Sequence, residues 1–248
     1  MINYLTAEFN KLLHRKNFYL GLSFVILASL INIIILPLTN PHYTSITYTE
    51  LQQLLLHFVG NKFIAVITVF VITVSISGAN GSNVKNAITM GYSRLQIYFS
   101  KIIIGASIIT FLLFAAIIAT FIFTGIWFYH LFTIRAVWEA LIRFSLVYLV
   151  YIALFVISLT LCYVINYNML FAIVYFVLFR VLAEIFSTTS NSQVIQIIAN
   201  YTLTNQLEGI ILGDHKMYLW PYVLGTSVGY TAFTLILGAI IINRKDIK

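Results

Sequence analysis

Between Lys101 and Arg135 the chain runs for 33 residues, Ile102 to Ile134, without one Lys, Arg, Asp or Glu. As a helix that run is about 50 Å long, against about 30 Å for the hydrocarbon core of a bilayer. It predicts a membrane-crossing helix whose end projects or bends outside the core. The remainder agrees: 8% of residues are charged and 61% apolar, whereas soluble domains carry roughly a quarter charged residues. The chain reads as an integral membrane protein.

Six apolar runs are long enough to cross, approximately Phe18 to Leu38, Phe58 to Gly78, Ile102 to Trp127, Phe144 to Ile165, Met169 to Phe186 and Tyr222 to Ile242. A spanning β-barrel would show short alternating strands instead. The predicted class is therefore all-α, six transmembrane helices in one transmembrane domain covering 1–248, with no repeat or linker dividing it. The fourth and fifth spans are separated only by Asn166, Tyr167 and Asn168, a turn-forming trio that predicts an antiparallel hairpin. The first apolar segment is longer than a signal-peptide core and lacks a small-residue cleavage site, so it reads as a retained span.

An even number of spans puts both termini on one side. The N-terminus, the loop from Ala79 to Lys101 and the tail together hold Lys11, Arg15, Lys16, Lys85, Arg94, Lys101, Arg244, Lys245 and Lys248 against Glu8 and Asp246. The opposite set holds five Lys and Arg, including Lys62 and Arg180, against five acids. Nine against five places both termini in the cytoplasm. Trp127, Trp138 and Trp220 then sit near the outer interface, where amphipathic rings anchor helices. The +7 net charge is spread over three segments with no basic stripe, so lipid rather than nucleic acid is its expected partner.

Three polar segments invite a role. In 1–17, Ile2, Leu5, Phe9, Leu12 and Leu13 recur at helical spacing, which fits a cytoplasmic interfacial helix; a basic flank that merely orients the first span fits equally. In 79–101, Asn80 and Ser82 suit a helix start, Val84, Ala87 and Ile88 form a small apolar face, Gly91 suits its end, and Ser93 suits the cap of the next helix. A helix so short is marginal alone, so it is either a docking knob or a solvated connector. In 187–220, Val194, Ile197, Ile198 and Tyr201, then Leu203, Leu207, Ile210 and Ile211, predict extracellular amphipathic or partly re-entrant helices.

Within the fifth span, Arg180 and Glu184 lie one helical turn apart on one face. They fit a polar lining of a transport path or subunit interface, or a locally satisfied pair; Asn32 on the first span is a weaker companion. Phe171, Tyr175, Phe176 and Phe179 give the same span an aromatic surface, for apolar peptide faces or for packing. Gly225 and Gly229 form a GxxxG pattern, expected to pack within the subunit. The single Cys162 excludes an internal disulfide, and His42, His57, His130 and His215 show no metal-ligand spacing. No metal site or enzymatic constellation is expected.

Val84-Lys85-Asn86-Ala87-Ile88, Met90-Gly91-Tyr92-Ser93-Arg94 and Ile97-Tyr98-Phe99-Ser100-Lys101 resemble the cytoplasmic segment of type-2 ABC transporter permeases. The similarity is greatest to the bacterial group linked to lantibiotic and bacitracin self-protection and to export of phenol-soluble modulins. Ala7 through Phe18 resembles that family's interfacial helix, and the layout matches along the whole chain. In place of the acidic residue many relatives carry before the loop helix stands Gly78-Ala79-Asn80-Gly81. The resemblance implies a permease in the bacterial cell membrane that exports an amphipathic peptide, works as a homodimer or with a paralogue, and couples to separate cytoplasmic ATPase subunits through Val84, Lys85, Ala87, Ile88, Met90 and Arg94. It further implies that Asn32, Tyr175, Phe179, Arg180 and Glu184 line the path or the dimer interface. No GxxxxGK[ST] phosphate loop occurs, so ATP and Mg belong to the ATPase and this chain carries no cofactor. The competing expectation is an ion- or proton-coupled secondary transporter of a hydrophobic small molecule, with Arg180 and Glu184 in a relay.

Overall fold

The computed structural model describes residues 2–14, 61–77, 87–127, 133–165, 168–181, 201–212 and 219–244, with isolated positions 16, 18, 19, 23 and 27. Every regular element among them is helical: α1 (Ile2–Leu13), α2 (Lys62–Ser77), α3 (Arg94–Trp127), α4 (Ile134–Val164), α5 (Asn168–Phe176) running on into a π-helical turn (Val177–Val181), α6 (Leu203–Leu212) and α7 (Leu219–Arg244). Three helices are long and apolar enough to cross a membrane, within α3, α4 and α7, while α2 and α5 with its π-turn are shorter apolar helices. The first expected span lies almost wholly outside the described residues.

Rich in Ile, Val and Thr, α2 has a sequence that would favour strand in water. An apolar surrounding removes that option, because each backbone N–H and C=O must then be satisfied within its own segment. Its start is fixed by Asn61, whose Oδ1 accepts from the backbone N–H of Phe63 at 2.9 Å and of Ile64 at 3.3 Å. The apolar run of α3 continues as unbroken helix to Trp127. Ten residues ahead of its own apolar run, α4 begins at Ile134. That extension carries Arg135 and Glu139, paired at 3.0 Å one turn apart.

At the centre stands α4, touching α2, α3, α5, α6 and α7, most extensively α7. Val147, Val150, Ala153, Leu154, Phe155, Val156 and Leu159 are sealed from solvent around its whole circumference. By contrast α3 and α7 turn Phe111, Phe114, Ile122, Phe233 and Ile236 outward. Such continuous apolar faces on a water-exposed monomer would be an aggregation hazard; facing lipid they are the expected surface.

Close helix approach depends on two glycines. A Cβ on Gly105 would run into the ring of Phe155, and one on Gly238 would run into the Tyr98 hydroxyl. Gly225 and Gly229, expected to pack within the subunit, instead face open space. Hydroxyl pairs join the inner helices: Ser158 donates to Thr73 at 2.9 Å, and Tyr98 and Thr160 share a bond of 2.9 Å. Such bonds hold apolar helices in register where burial alone discriminates poorly.

Candidate functional site

The bundle has two polar ends. One gathers α1, the start of α3 and the last turns of α2, α4 and α7; the other gathers the start of α2, the π-turn after α5, and α6.

At the first end the short segment ahead of α3 is a built structure. Residues 87–90 form a helical turn that stops at Gly91, whose φ of 89° suits a residue without Cβ. Gly91 N–H donates to Ile88 O at 2.9 Å and Tyr92 N–H to Ala87 O at 3.1 Å, the paired bonds of a Schellman stop. Ser93 Oγ then accepts from Gln96 N–H at 3.2 Å while Gln96 Oε1 accepts from Ser93 N–H at 3.0 Å, a reciprocal cap that starts α3.

Ala87 is buried beneath this turn together with Tyr4 of α1 and Ile97 of α3, with Ile88 and Tyr92 packed against them. The rings of Tyr4 and Tyr92 stand 4.8 Å apart. The packed face of α1 is thus Tyr4, Glu8 and Leu12, with Leu5 half-buried, while Phe9 and Leu13 remain exposed. Burial, reinforced by the Glu8 carboxylate, pushes the Tyr4 phenol above its ordinary range. Met90, at the outer tip of the turn, is 75% exposed. Half-buried, Arg94 donates from its guanidinium to Asn243 O at 3.3 Å, tying α3 to the last turn of α7. Val84 and Lys85 lie outside the described residues.

Lys101 is buried in the same region at 3% exposure. Its ammonium donates to Ser77 O, the last carbonyl of α2, at 3.1 Å and lies 5.5 Å from the Tyr163 ring centre. A Lys so buried needs such compensation. Charge counting placed it with the loop from Ala79 to Lys101; its position seven residues after Arg94 in α3, in register with the apolar face at Tyr98 and Ile104, is the signal the sequence offers.

At the other end, Tyr175 lies fully inside the bundle, donating to Val66 O at 2.9 Å and packed with Phe70 and Phe171. Phe179 is half-buried with its ring 4.9 Å from that of Tyr175. Arg180 sits in the π-turn with its guanidinium carbon 5.9 Å from the ring centre of exposed Phe63. The α-helical spacing assumed from Arg180 onward starts in π-helical backbone; Glu184 and Asn32 fall outside the described residues. No group of three His, Cys, Asp or Glu suited to a metal ion occurs among the described residues.

No protein-family model, curated protein or solved structure matches this chain.

Proposed function

We propose that the chain is the membrane permease subunit of an ATP-driven exporter of amphipathic peptides, with ATP hydrolysed by a separate cytoplasmic subunit and a second permease copy completing the path. The observation carrying this reading is the turn at residues 87–90. It is anchored from beneath by Ala87 on Tyr4 and Ile97, stopped by Gly91, and crowned by exposed Met90. A connector needs only to reach from one helix to the next. An apolar tip on a braced turn is suited to pushing or being pushed, because a force on Met90 is passed through Ala87 to α1 and α3. Positive-inside counting puts this end in the cytoplasm, beside any soluble motor.

In this reading Ile88 and Ala87 hold the turn in place, Met90 with Val84 and Lys85 meets the ATPase, and Arg94 holds the first turn of α3 to α7. Phe179 and Arg180, still accessible beside Phe63, serve the path or the subunit interface. Tyr175 supports them from the core. The unbroken apolar faces of α3 and α7 suit a cargo that arrives from lipid.

The deciding experiment is purification of the tagged chain from its native membrane with identification of the soluble subunit retained, repeated for Met90→Asp. An ATPase is expected with the parent chain and lost or uncoupled with Met90→Asp, at unchanged permease content. Retention of no ATPase by the parent, or equal retention and transport by the variant, overturns the reading.

A further inference from the structure

Helix α6 is built to be held down. Leu203, Thr204, Gln206, Leu207, Ile210 and Ile211 are all buried against α2, α4 and α7, so this ten-residue helix is wedged among the ends of three longer ones. Its ties to them are side-chain bonds. Glu208 Oε2 meets Lys62 Nζ at 2.9 Å, the Gln206 amide meets Thr226 Oγ1 at 2.8 Å, and the Tyr201 ring, just before the helix, stands 4.7 Å from that of Tyr222.

Lys62 is the first residue of α2, the end where aligned peptide dipoles leave partial positive charge. An ammonium is disfavoured there unless an acid offsets it, and Glu208 is that acid. The pair lies at the rim, with Glu208 about half-exposed, so water and salt reach it. The helix also has somewhere else to go. A short helix is marginal without a surface to dock on, and one apolar face with Glu208 on the other suits the bilayer interface as well as the bundle.

We propose that α6 is a releasable cover over this end of the bundle and that the Lys62–Glu208 bridge is its latch. With the bridge made, the cover is docked and the ends of α2, α4 and α7 are closed together. With the bridge broken, the docked state is weakened, and α6 moves onto the interface more often, exposing what it covered. The inference concerns this chain alone and stands whether or not an ATPase drives it.

The test uses the full chain with Cys162→Ser in lipid nanodiscs, where both faces meet the reagent, so a wrong membrane orientation leaves the result unaffected. Leu207→Cys, fully buried in the docked cover, reports its opening through the rate of labelling by a membrane-impermeant maleimide; Ile210→Cys is the second reporter. Glu208→Gln and Lys62→Gln are expected to label about two- to fivefold faster than the parent, the factor corresponding to one partly exposed ion pair. The swap Lys62→Glu with Glu208→Lys is expected to restore slow labelling. Molar salt is expected to speed labelling of the parent and leave Glu208→Gln unchanged, a comparison that needs no variant of the pair to establish the parent's response. Equal rates across parent and single variants, failure of the swap to restore protection, or a salt-insensitive parent overturns the latch.

Discussion

Tyr98 Oη and Thr160 Oγ1 meet at 2.9 Å inside the bundle, and the pair occupies the space beside Gly238 that a Cβ would need. Three helices, α3, α4 and α7, therefore converge on one hydrogen bond, and only a missing side chain lets them do so. Gly238→Ala is expected to lower stability by about 1–3 kcal/mol, the range for overpacking a filled core, because the Tyr98 ring is rigid and fully enclosed. Gly225→Ala, facing open space, is expected to stay within about 0.5 kcal/mol of the parent. Thermal unfolding of both in the same detergent checks the contrast; equal midpoints would show that the α7 contact is looser than described.

Gly91 yields a second expectation. Its φ of 89° is open to an added Cβ on steric grounds, with no atom within 4 Å, so any penalty of Gly91→Ala is one of backbone conformation. That penalty is about 1–2 kcal/mol for an L-residue in left-handed backbone, and smaller for Asn. Trypsin cleavage at Lys85 in membranes is expected to rank Gly91→Ala above Gly91→Asn above the parent. No difference among the three would separate the Schellman stop from the docked turn.

Lys101 and Lys62 allow a comparison of one residue type in two settings. Lys101→Met leaves the Ser77 carbonyl without its donor in a buried site, for an expected loss of about 1–3 kcal/mol. Lys62→Met, at a partly exposed rim, is expected to cost less than about 1 kcal/mol. Melting points of the two variants decide the order, and a larger effect at Lys62 would contradict the burial difference.

The Tyr4 phenol, raised by burial and by Glu8, gives an alkaline signature. The folded state holds the neutral phenol more tightly than the unfolded chain does. Its contribution is therefore complete below the unfolded value of about 10 and is lost as pH rises above that. A fluorophore at His14→Cys, in a Cys162→Ser chain, is expected to report undocking of α1 only at pH above about 10, and Tyr4→Phe is expected to remove that transition. A transition of the same midpoint in Tyr4→Phe would assign it to another group.

Helices were legible where hydrophobicity alone decides: residues 102–127 of the charge-free run lie in α3, and α4 ends at Val164 and α5 begins at Asn168, about where a hairpin was expected. Gly91 and Ser93 were legible too, because stops and caps are chemistry of single residues. What escaped was identity of face. Tyr4 and Glu8 form the packed side of α1, yet Phe9 and Leu13 carry the stronger apolar signal, since a lipid-facing side is as apolar as a core. For the same reason Gly225 and Gly229 look like packing residues while Gly105 and Gly238 hold the close approaches. The aromatic series of α5 and its π-turn divides likewise, with Tyr175 inside and Phe179 at the margin, a division no spacing records. The N-terminal extension of α4 carries charge, so a search for apolar runs stops short of it, although Arg135 and Glu139 sit at a helix-supporting interval.

The placement of α4 also bears on how the molecule is made. Two of its buried hydroxyls find their bonds in helices that precede it in the chain, Ser158 in Thr73 and Thr160 in Tyr98, so neither waits in lipid for a segment not yet translated. The last helix described, α7, makes the most extensive contact with α4, burying Val223, Ser227 and Ile242 and bringing Gly238 beside Thr160. Insertion can thus proceed by accretion: a nucleus of α2, α3 and α4 is hydrogen-bonded while the ribosome is still at work, and the final 26-residue helix closes it. Ribosomes stalled just short of Leu219 would then hold a nascent chain whose α2, α3 and α4 are already joined by these bonds.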